Sequence, residues 1–261
     1  MDSFEKYNQK PDKAPFKKLE ASDVRGPSSK FFSLPGHREL VVRKIEDLTI
    51  KEEEDGKKTA TASIEHWTKQ AQLFQNFAER YGIKMAKTNY LFGNDPEFRS
   101  NVPKASSPAL LAVSERISGE SLNAMKEVDE KAEAEIDAMF SGLFSSLHDS
   151  YKENGYSWGD FGNWQMMYGT APKENEPHVY IVDIGPQMTN WSELPAENKE
   201  VDFWIDLEWI VGEMRTMEKK IRGKKKKFET ARKVLSEIVS QMPIPTDERA
   251  EPFRKKVLKR I

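Results

Sequence analysis

The sequence predicts an α+β protein with two lobes. Three observations favour this class: strand-like patterns fill the first part of the chain, one helical period interrupts them, and helical periods dominate afterwards. No internal repeat is present. We therefore expect a flexible polar arm over residues 1–30, a small β-rich N-terminal lobe over 31–117, and a helical C-terminal lobe over 118–261 that ends in basic helices.

The elements expected in the small lobe follow from hydrophobic period and from turn residues. Alternating apolar residues bounded by glycine or proline indicate strands, and apolar residues at steps of three and four indicate a helix. In order, these elements are a Pro35-Gly36 turn, a strand over 40–45, a helix from Ile64 to Tyr81 that stops at Gly82, strands over 83–92 and 109–117, and a turn over 118–121. The first turn and strand together indicate a hairpin.

The elements expected in the helical lobe depend on the same two periods. In order, they are a long helix with apolar residues from Val128 to Tyr151, a glycine-containing segment over 157–169, a polar hairpin loop, a buried strand over 178–185, an apolar helix over 201–221 and an amphipathic helix over 228–241. Five tryptophans are expected in the core, at positions 158, 164, 191, 204 and 209.

Composition excludes several classes of protein. The 41 Lys and Arg residues nearly balance the 43 Asp and Glu residues, which argues against a globally basic nucleic-acid binder. The absence of cysteine excludes disulfides and thiolate metal sites, and the four histidines have no ligand-like spacing. No apolar run approaches about 18 residues, and the first ten residues lack the apolar core of a signal peptide. We expect a cytoplasmic protein without a membrane span.

Oxygen-bearing side chains stand next to the predicted buried strand. Asp183 ends that strand in the segment VYIVDIGP, and Asp160 and Asn163 precede it in SWGDFGNWQMM. A carboxylate that leaves a buried strand is held rigidly, and its oxygens are the hard ligands that Mg²⁺ bound to phosphates requires. These three residues are therefore candidates to hold Mg²⁺ and to position a hydroxyl nucleophile.

The order of these pieces resembles the protein-kinase-like superfamily, which includes small-molecule kinases of the aminoglycoside and choline type. Five segments within roughly residues 30–220 carry the resemblance: ELVVRKI, LAVSERISGESL, SSLHDSYKENGYSWGDFGNWQMM, YIVDIGP and VDFWIDLEWIVGEM. They are similar, in that order, to the family's phosphate-gripping strand, its hinge strand, its catalytic loop with flanking elements, its metal-binding Asp-x-Gly segment and the central helix of its large lobe.

The resemblance implies a bilobal protein-kinase-like fold and an ATP-dependent phosphotransferase that transfers the γ-phosphate to a hydroxyl acceptor, with ATP between the lobes and Mg²⁺ as the metal. It also implies a role for each matching residue. Lys44 would hold the phosphates with Glu65 as its ion-pair partner, Ser114 would be the gatekeeper, the Glu115 carbonyl and the Ile117 amide would contact adenine, Asn163 and Asp183 would bind Mg²⁺, and Asp160 would take up the acceptor proton.

Two assignments have alternatives. Lys44 fits the family pattern and shares a strand face with Leu40 and Val42, whereas Arg43, on the other face, is the fallback cation. The catalytic loop is two residues shorter than the family's, and a reading without a gap moves the catalytic position from Asp160 to Trp158 and removes the base.

Departures from the family pattern favour a second function. Trp158 stands where the family has histidine, and no glycine-rich phosphate loop is visible. Both features fit a catalytically inactive pseudokinase that acts as a binding or scaffold protein. The short connection after Asp183 indicates a small molecule or an atypical protein as acceptor, and the basic run 222–227 gives a minor alternative, contact with nucleic acid or another acidic partner.

Overall fold

The computed structural model describes residues 17–18, 31–34, 36–44, 68–69, 71–94, 108–153, 155, 158, 162–182, 191, 194–221 and 228–261. Over these residues the chain is α+β, as the sequence predicts. The strands are β1 (Lys17–Lys18), β2 (Phe31–Leu34), β3 (His37–Lys44), β4 (Lys84–Met85), β5 (Thr88–Asn94), β6 (Pro108–Glu115), β7 (Ser118–Ser121), β8 (Met166–Thr170) and β9 (His178–Ile181). The helices are α1 (residues 68–69 and 71–80), α2 (Glu130–Glu153), α3 (Ala196–Glu218), α4 (Glu229–Gln241) and α5 (Glu251–Leu258).

The described residues divide into two compact units. Unit 1 contains the described residues up to Phe74, together with Ala86–Ser118 and Ala171–Glu174. Unit 2 contains Gln75–Met85, Gly119–Thr170 and the described residues from Asn175 to Ile261. The assignment of 31–117 and 118–261 to two lobes stays a prediction. Two residues of the predicted arm form β1, and the rest of 1–30 lies outside the described residues.

Unit 1 contains an antiparallel sheet with the strand order β1-β2-β3-β6-β5. The predicted hairpin is confirmed: β2 pairs with β3, and Gly36 at the turn has a φ of 83°, which an L-residue adopts only with strain. One face of the sheet forms a buried apolar cluster, which consists of Phe32, Leu34, Leu40, Val42, Ala109, Leu111 and Val113. Because these residues alternate along their strands, the cluster fixes which side chains of β3 and β6 share that face.

Unit 2 contains a second sheet with the order β4-β9-β8-β7, and two predictions are wrong here. The segment 83–92 is two strands in different sheets, because β4 pairs with β9 while β5 pairs with β6. The segment 118–121 is β7 and not a turn. Its glycine is required by packing, because a Cβ on Gly119 would collide with the Tyr168 carbonyl oxygen.

The predicted helices of unit 2 are confirmed as α2, α3 and α4, with bounds shifted by a few residues. Helix α2 packs against α4, α3 and β9, and α3 also packs against α5. Helix α4 takes its N-terminal cap from another helix: Asp137 of α2 accepts hydrogen bonds from the N–H groups of Thr230 (3.1 Å) and Ala231 (2.7 Å). None of the helices in the described ranges combines the length and the apolar character that a membrane span requires.

Candidate functional site

The structure describes five of the eight predicted site residues. Lys44, Ser114, Glu115 and Ile117 belong to unit 1, and Asn163 belongs to unit 2. The other three, Glu65, Asp160 and Asp183, lie outside the described residues, as does the basic run 222–227. The four residues of unit 1 lie on the paired strands β3 and β6 and on the segment that follows β6.

The register between β3 and β6 decides which predicted side chains share a face. Val41 lies directly opposite Ser114, Arg43 opposite Ala112, and Lys44 opposite Leu111. Directly opposed residues of an antiparallel pair project from the same face. Ser114 therefore shares its face with Val41 and Arg43, whereas Lys44 projects from the face that carries the apolar cluster of Leu40, Val42 and Leu111.

Hydrogen bonds fix the end of β6. The buried Ser114 hydroxyl lies 2.8 Å from Thr88 Oγ1, and the Thr88 hydroxyl donates to the Ala86 carbonyl at 3.2 Å. The Glu115 N–H donates to the Lys87 carbonyl (2.9 Å), and the Lys87 N–H donates to the Glu115 carboxylate (3.3 Å). The start of β5 and the residues just before it thus hold one side of this segment, while β3 pairs with its other side.

Ile117 lies just after the end of β6 and is buried. The neighbouring Arg116 N–H donates to the Glu39 carbonyl at 2.8 Å. The backbone just before Ile117 is thus held by β3.

In unit 2, Asn163 begins a one-turn 3₁₀-helix (Asn163–Gln165) and is almost completely buried, at 1% exposure. Its backbone N–H donates to Glu213 Oε2 at 3.1 Å, and its side-chain Nδ2–H donates to the Glu213 carbonyl at 3.1 Å. Its side-chain Oδ1 is buried and has no hydrogen-bond partner in the described part of the chain. The amide is therefore fixed at its nitrogen and unsatisfied at its oxygen.

Gln165 connects this turn to the segment in front of Asp183. Its side-chain Oε1 accepts a hydrogen bond from the Gly162 N–H (2.8 Å), and its own N–H donates to the Gly162 carbonyl (2.9 Å). Its carbonyl accepts a hydrogen bond from the Val182 N–H at 2.8 Å. The backbone that precedes Asp183 is thus tied to the Asn163 turn.

Glu213 was not predicted from the sequence to belong to the site. Burial is the largest influence on this half-buried carboxyl and raises its pKa, while the hydrogen bonds from Asn163 and the charge of Lys220 oppose that shift. The available signal was an acidic residue inside the apolar run WIVGEM, where a carboxylate is unusual without a partner. That partner, Asn163, is 50 residues away in sequence.

The tryptophans around the turn have different environments. Trp158 is buried as predicted, and its Nε1–H donates to Ser146 Oγ at 2.7 Å. The prediction of burial is wrong for Trp164 and Trp209, which are 36% and 44% exposed. The Trp164 ring lies over Gly162, where a Cβ would collide with it.

The described residues contain one atom that suits a divalent cation, although no group of three or more His, Cys, Asp or Glu side chains that could hold a metal ion occurs among them. The unsatisfied Oδ1 of Asn163 is a hard oxygen in a fixed position, which is the kind of ligand that Mg²⁺ prefers. This atom fits the predicted role of Asn163, and the predicted second ligand, Asp183, follows Val182 directly in the sequence.

No protein-family model matches this chain, and no curated protein matches it.

Proposed function

We propose that the protein is an ATP-dependent phosphotransferase of protein-kinase-like fold that transfers the γ-phosphate to a hydroxyl acceptor. In the proposed reaction, the acceptor oxygen forms a bond to the γ-phosphorus while the bond between that phosphorus and the β,γ-bridging oxygen breaks. ADP leaves with the bridging oxygen, and the hydroxyl proton passes to the carboxylate of Asp160. The phosphorylated product and ADP then dissociate.

The observation that carries the proposal is the unsatisfied oxygen of Asn163. Asn163 is 1% exposed, and its backbone N–H and its side-chain Nδ2–H both donate hydrogen bonds. The side-chain oxygen of such a residue normally accepts a hydrogen bond as well, because an unpaired buried polar atom costs about 1–3 kcal/mol. A cation ligand explains why this oxygen is left open. With Asn163 and Asp183 as its ligands, Mg²⁺ would neutralise charge on the phosphates.

The contacts in unit 1 support a nucleotide. The resemblance assigns phosphate binding to β3 and adenine binding to the residues after β6, and these two strands are direct neighbours. The resemblance assigns an adenine contact to the Ile117 N–H, which follows the fixed backbone of Glu115.

The register bears on the choice between Lys44 and Arg43 as the phosphate cation. With Ser114 at the adenine, the cation that projects from the same face of the sheet is Arg43, opposite Ala112. The family pattern favours Lys44, whose side chain leaves the other face. We propose Arg43 as the cation that accompanies Ser114, and Lys44 as the cation if Ser114 does not face the nucleotide.

The proposal is tested by thermal unfolding with ATP, with Mg²⁺ and with both together. A ligand at about 100 times its Kd stabilises the folded state by about 2.7 kcal/mol. We expect a rise in Tm that needs both components, and its loss in Asn163→Ala but not in the matched control Asn198→Ala. Transfer of labelled γ-phosphate to water or to the protein itself should follow in the parent and vanish in Asp183→Ala, while that variant stays folded. Parent-level transfer by folded Asp183→Ala would refute the proposal.

One observation favours the second candidate, a pseudokinase that binds nucleotide or a partner without transfer. Trp158, at the position of the family's histidine, is buried and bonded to Ser146, so its indole serves packing. The pseudokinase predicts no transfer of labelled phosphate even where ATP and Mg²⁺ raise Tm. A Tm that is indifferent to both supports a scaffold without nucleotide.

A further inference from the structure

Glu213 and Asn163 form a two-point contact that reaches from helix α3 to the 3₁₀ turn. The carboxylate accepts the Asn163 backbone N–H at 3.1 Å, and the Glu213 main-chain carbonyl accepts the side-chain Nδ2–H at 3.1 Å. One contact fixes the backbone of Asn163 and the other fixes the rotation of its amide. The side-chain amide is planar and carries Nδ2 and Oδ1 on the same carbon. The contact that fixes Nδ2 therefore also determines the direction of Oδ1.

The carboxylate of Glu213 contributes little to the stability of the folded protein. Within the described residues it forms no ion pair, its hydrogen bonds come from Asn163, and Lys220 acts on it through charge alone. Burial opposes its charge. The apolar neighbours Met214 and Met217 are fully buried on the same helix, so an apolar residue at 213 has a ready environment. A half-buried carboxylate with these properties is better explained by what it orients than by what it stabilises.

Among the residues described around the turn, Glu213 is the one that orients the side-chain amide of Asn163. Gln165 holds the ends of the turn through Gly162 and Val182, and these hydrogen bonds involve the backbone on either side of Asn163 and not its side chain. The helix that carries Glu213 is long and well packed, since Ile210, Val211 and Met214 are buried. A carboxylate on a rigid helix is a suitable support for a ligand residue, because supporting partners hold metal ligands in orientation.

We propose that Glu213 is a positioning residue: its carboxylate holds the Asn163 backbone where the amide can reach the Glu213 main-chain carbonyl, so that the amide oxygen points at the bound cation, and it thereby sets the cation dependence of nucleotide binding. This inference rests on the proposed function, because it assigns the cation to that site. Glu213 does not touch the nucleotide or the acceptor in this scheme; it acts through Asn163.

The experiment measures the affinity of the full chain for the β,γ-imido analogue of ATP, with Mg²⁺ and with EDTA. The ratio of the two dissociation constants is the metal-dependent gain. In Glu213→Met we expect this gain to fall about 10-fold or more, which is the usual range for loss of a supporting partner of a metal ligand. The affinity in EDTA should stay at the parent value, and the Tm without ligand should fall by no more than the loss of the one hydrogen bond to the Asn163 N–H explains. Glu213→Gln keeps an acceptor oxygen for the Asn163 N–H and should restore most of the gain.

A double variant separates positioning from general structural damage. If Glu213 acts through Asn163, Asn163→Ala with Glu213→Met should lose no more of the gain than Asn163→Ala alone. Asp202→Ala, which removes another partly buried carboxylate of α3 away from the turn, is the matched control and should keep the full gain. An unchanged gain in Glu213→Met, or additive losses in the double variant, would overturn the inference.

A second readout does not depend on nucleotide. NMR-detected hydrogen exchange at the Asn163 backbone amide should accelerate in Glu213→Met and return to the parent rate in Glu213→Gln. If the parent binds the analogue equally well with and without Mg²⁺, the proposed cation site is wrong and the positioning role falls with it. If the parent shows the gain but exchange at Asn163 does not respond to Glu213→Met, the cation site survives and the role of Glu213 is refuted.

Discussion

Val41 of β3 lies directly opposite Ser114 of β6, so these two side chains project from one face of the sheet while Lys44 projects from the other. Arg43, two residues after Val41, shares the Ser114 face. The pattern of apolar residues supports this division, because Leu40, Val42, Leu111 and Val113 form the buried cluster on the Lys44 face. The relationship makes Arg43 and Lys44 alternatives that single substitutions distinguish.

The first prediction concerns these two cations. In Arg43→Met we expect the dissociation constant of the ATP–Mg²⁺ complex to rise about 10- to 100-fold, because a charged hydrogen bond to phosphate contributes about 1.5–3 kcal/mol. Lys44→Met should change it less than about threefold. Titration calorimetry with both variants measures the difference. The reverse order would assign the phosphates to the Lys44 face and remove Ser114 from the adenine contact.

The second prediction compares glycines in the interiors of two helices. A Cβ on Gly142 of α2 would lie 2.8 Å from the Tyr81 carbonyl oxygen, whereas a Cβ on Gly212 of α3 has only the Arg260 side chain near it, at 3.4 Å. Alanine relieves the entropic cost of glycine in a helix by about 0.5–1 kcal/mol. We expect Gly212→Ala to raise the free energy of unfolding by that amount, and Gly142→Ala to lower it by about 1–3 kcal/mol through overpacking.

Urea unfolding of both variants measures the pair. Because the two substitutions are chemically identical, helix propensity alone predicts the same increase in the free energy of unfolding for both. An equal increase would mean that the loop at Tyr81 moves away from α2 at little cost in free energy.

The spacing of apolar residues along the chain predicted those helices and strands whose pattern lies within their own segment. The hairpin at Gly36, the long helix α2 and the amphipathic α4 all follow from spacing within a few turns of chain. The division of 83–92 into β4 and β5 was missed, because nothing within that segment states that its two halves pair with different strands. Strand β7 was missed because serine and glycine favour turns, whereas Gly119 is required there by the backbone of β8.

The candidate site divides in the same way. Asn163 was predicted from its position in a motif, and the structure adds that its side-chain oxygen is buried and unsatisfied. Glu213 was not predicted, because its contact with Asn163 spans 50 residues of sequence. Trp164 and Trp209 were placed in the core because large aromatic residues are usually buried, but both are partly exposed.

The third prediction concerns Tyr81, whose hydroxyl donates to Asp149 Oδ2 at 2.9 Å. Burial, followed by this hydrogen bond, raises the pKa of Tyr81 from 10.0 to about 12. Between these pH values the unfolded chain loses the Tyr81 proton and the folded chain keeps it. The contribution of Tyr81 to the free energy of unfolding is therefore fully present below pH 10 and falls as the pH approaches 12. Because Tyr81 is only partly buried, we expect a contribution of only about 1 kcal/mol.

Tyr81→Phe removes this titration, so its free energy of unfolding should decline less steeply than the parent's between pH 10 and 12. Absorbance titration of tyrosinate should show one high-pKa tyrosine fewer in this variant. Asp149→Asn should lower the pKa of Tyr81, while the titration of Tyr81 remains visible. Identical pH profiles for the parent and Tyr81→Phe would contradict the assignment.

The last prediction concerns Glu218, a buried carboxylate at the end of α3 with two arginine partners. Arg232 of α4 binds it with two hydrogen bonds, at 2.7 and 2.9 Å, while Arg215, whose side chain is 46% exposed, approaches it at 3.2 Å. Removal of the partner of a buried charge is strongly destabilising, whereas an exposed pair contributes little. We expect Arg232→Met to lower the free energy of unfolding by about 2–3 kcal/mol, with Arg215 still compensating part of the charge.

The matched variant Arg215→Met should cost less than about 1 kcal/mol. Arg232 also donates to the carbonyls of Arg260 (3.4 Å) and Ile261 (3.0 Å), so its loss should release the residues after α5. Hydrogen exchange of that segment should therefore accelerate in Arg232→Met and stay at the parent rate in Arg215→Met. Equal costs for the two variants would show that Glu218 is solvated more fully than its 5% exposure indicates.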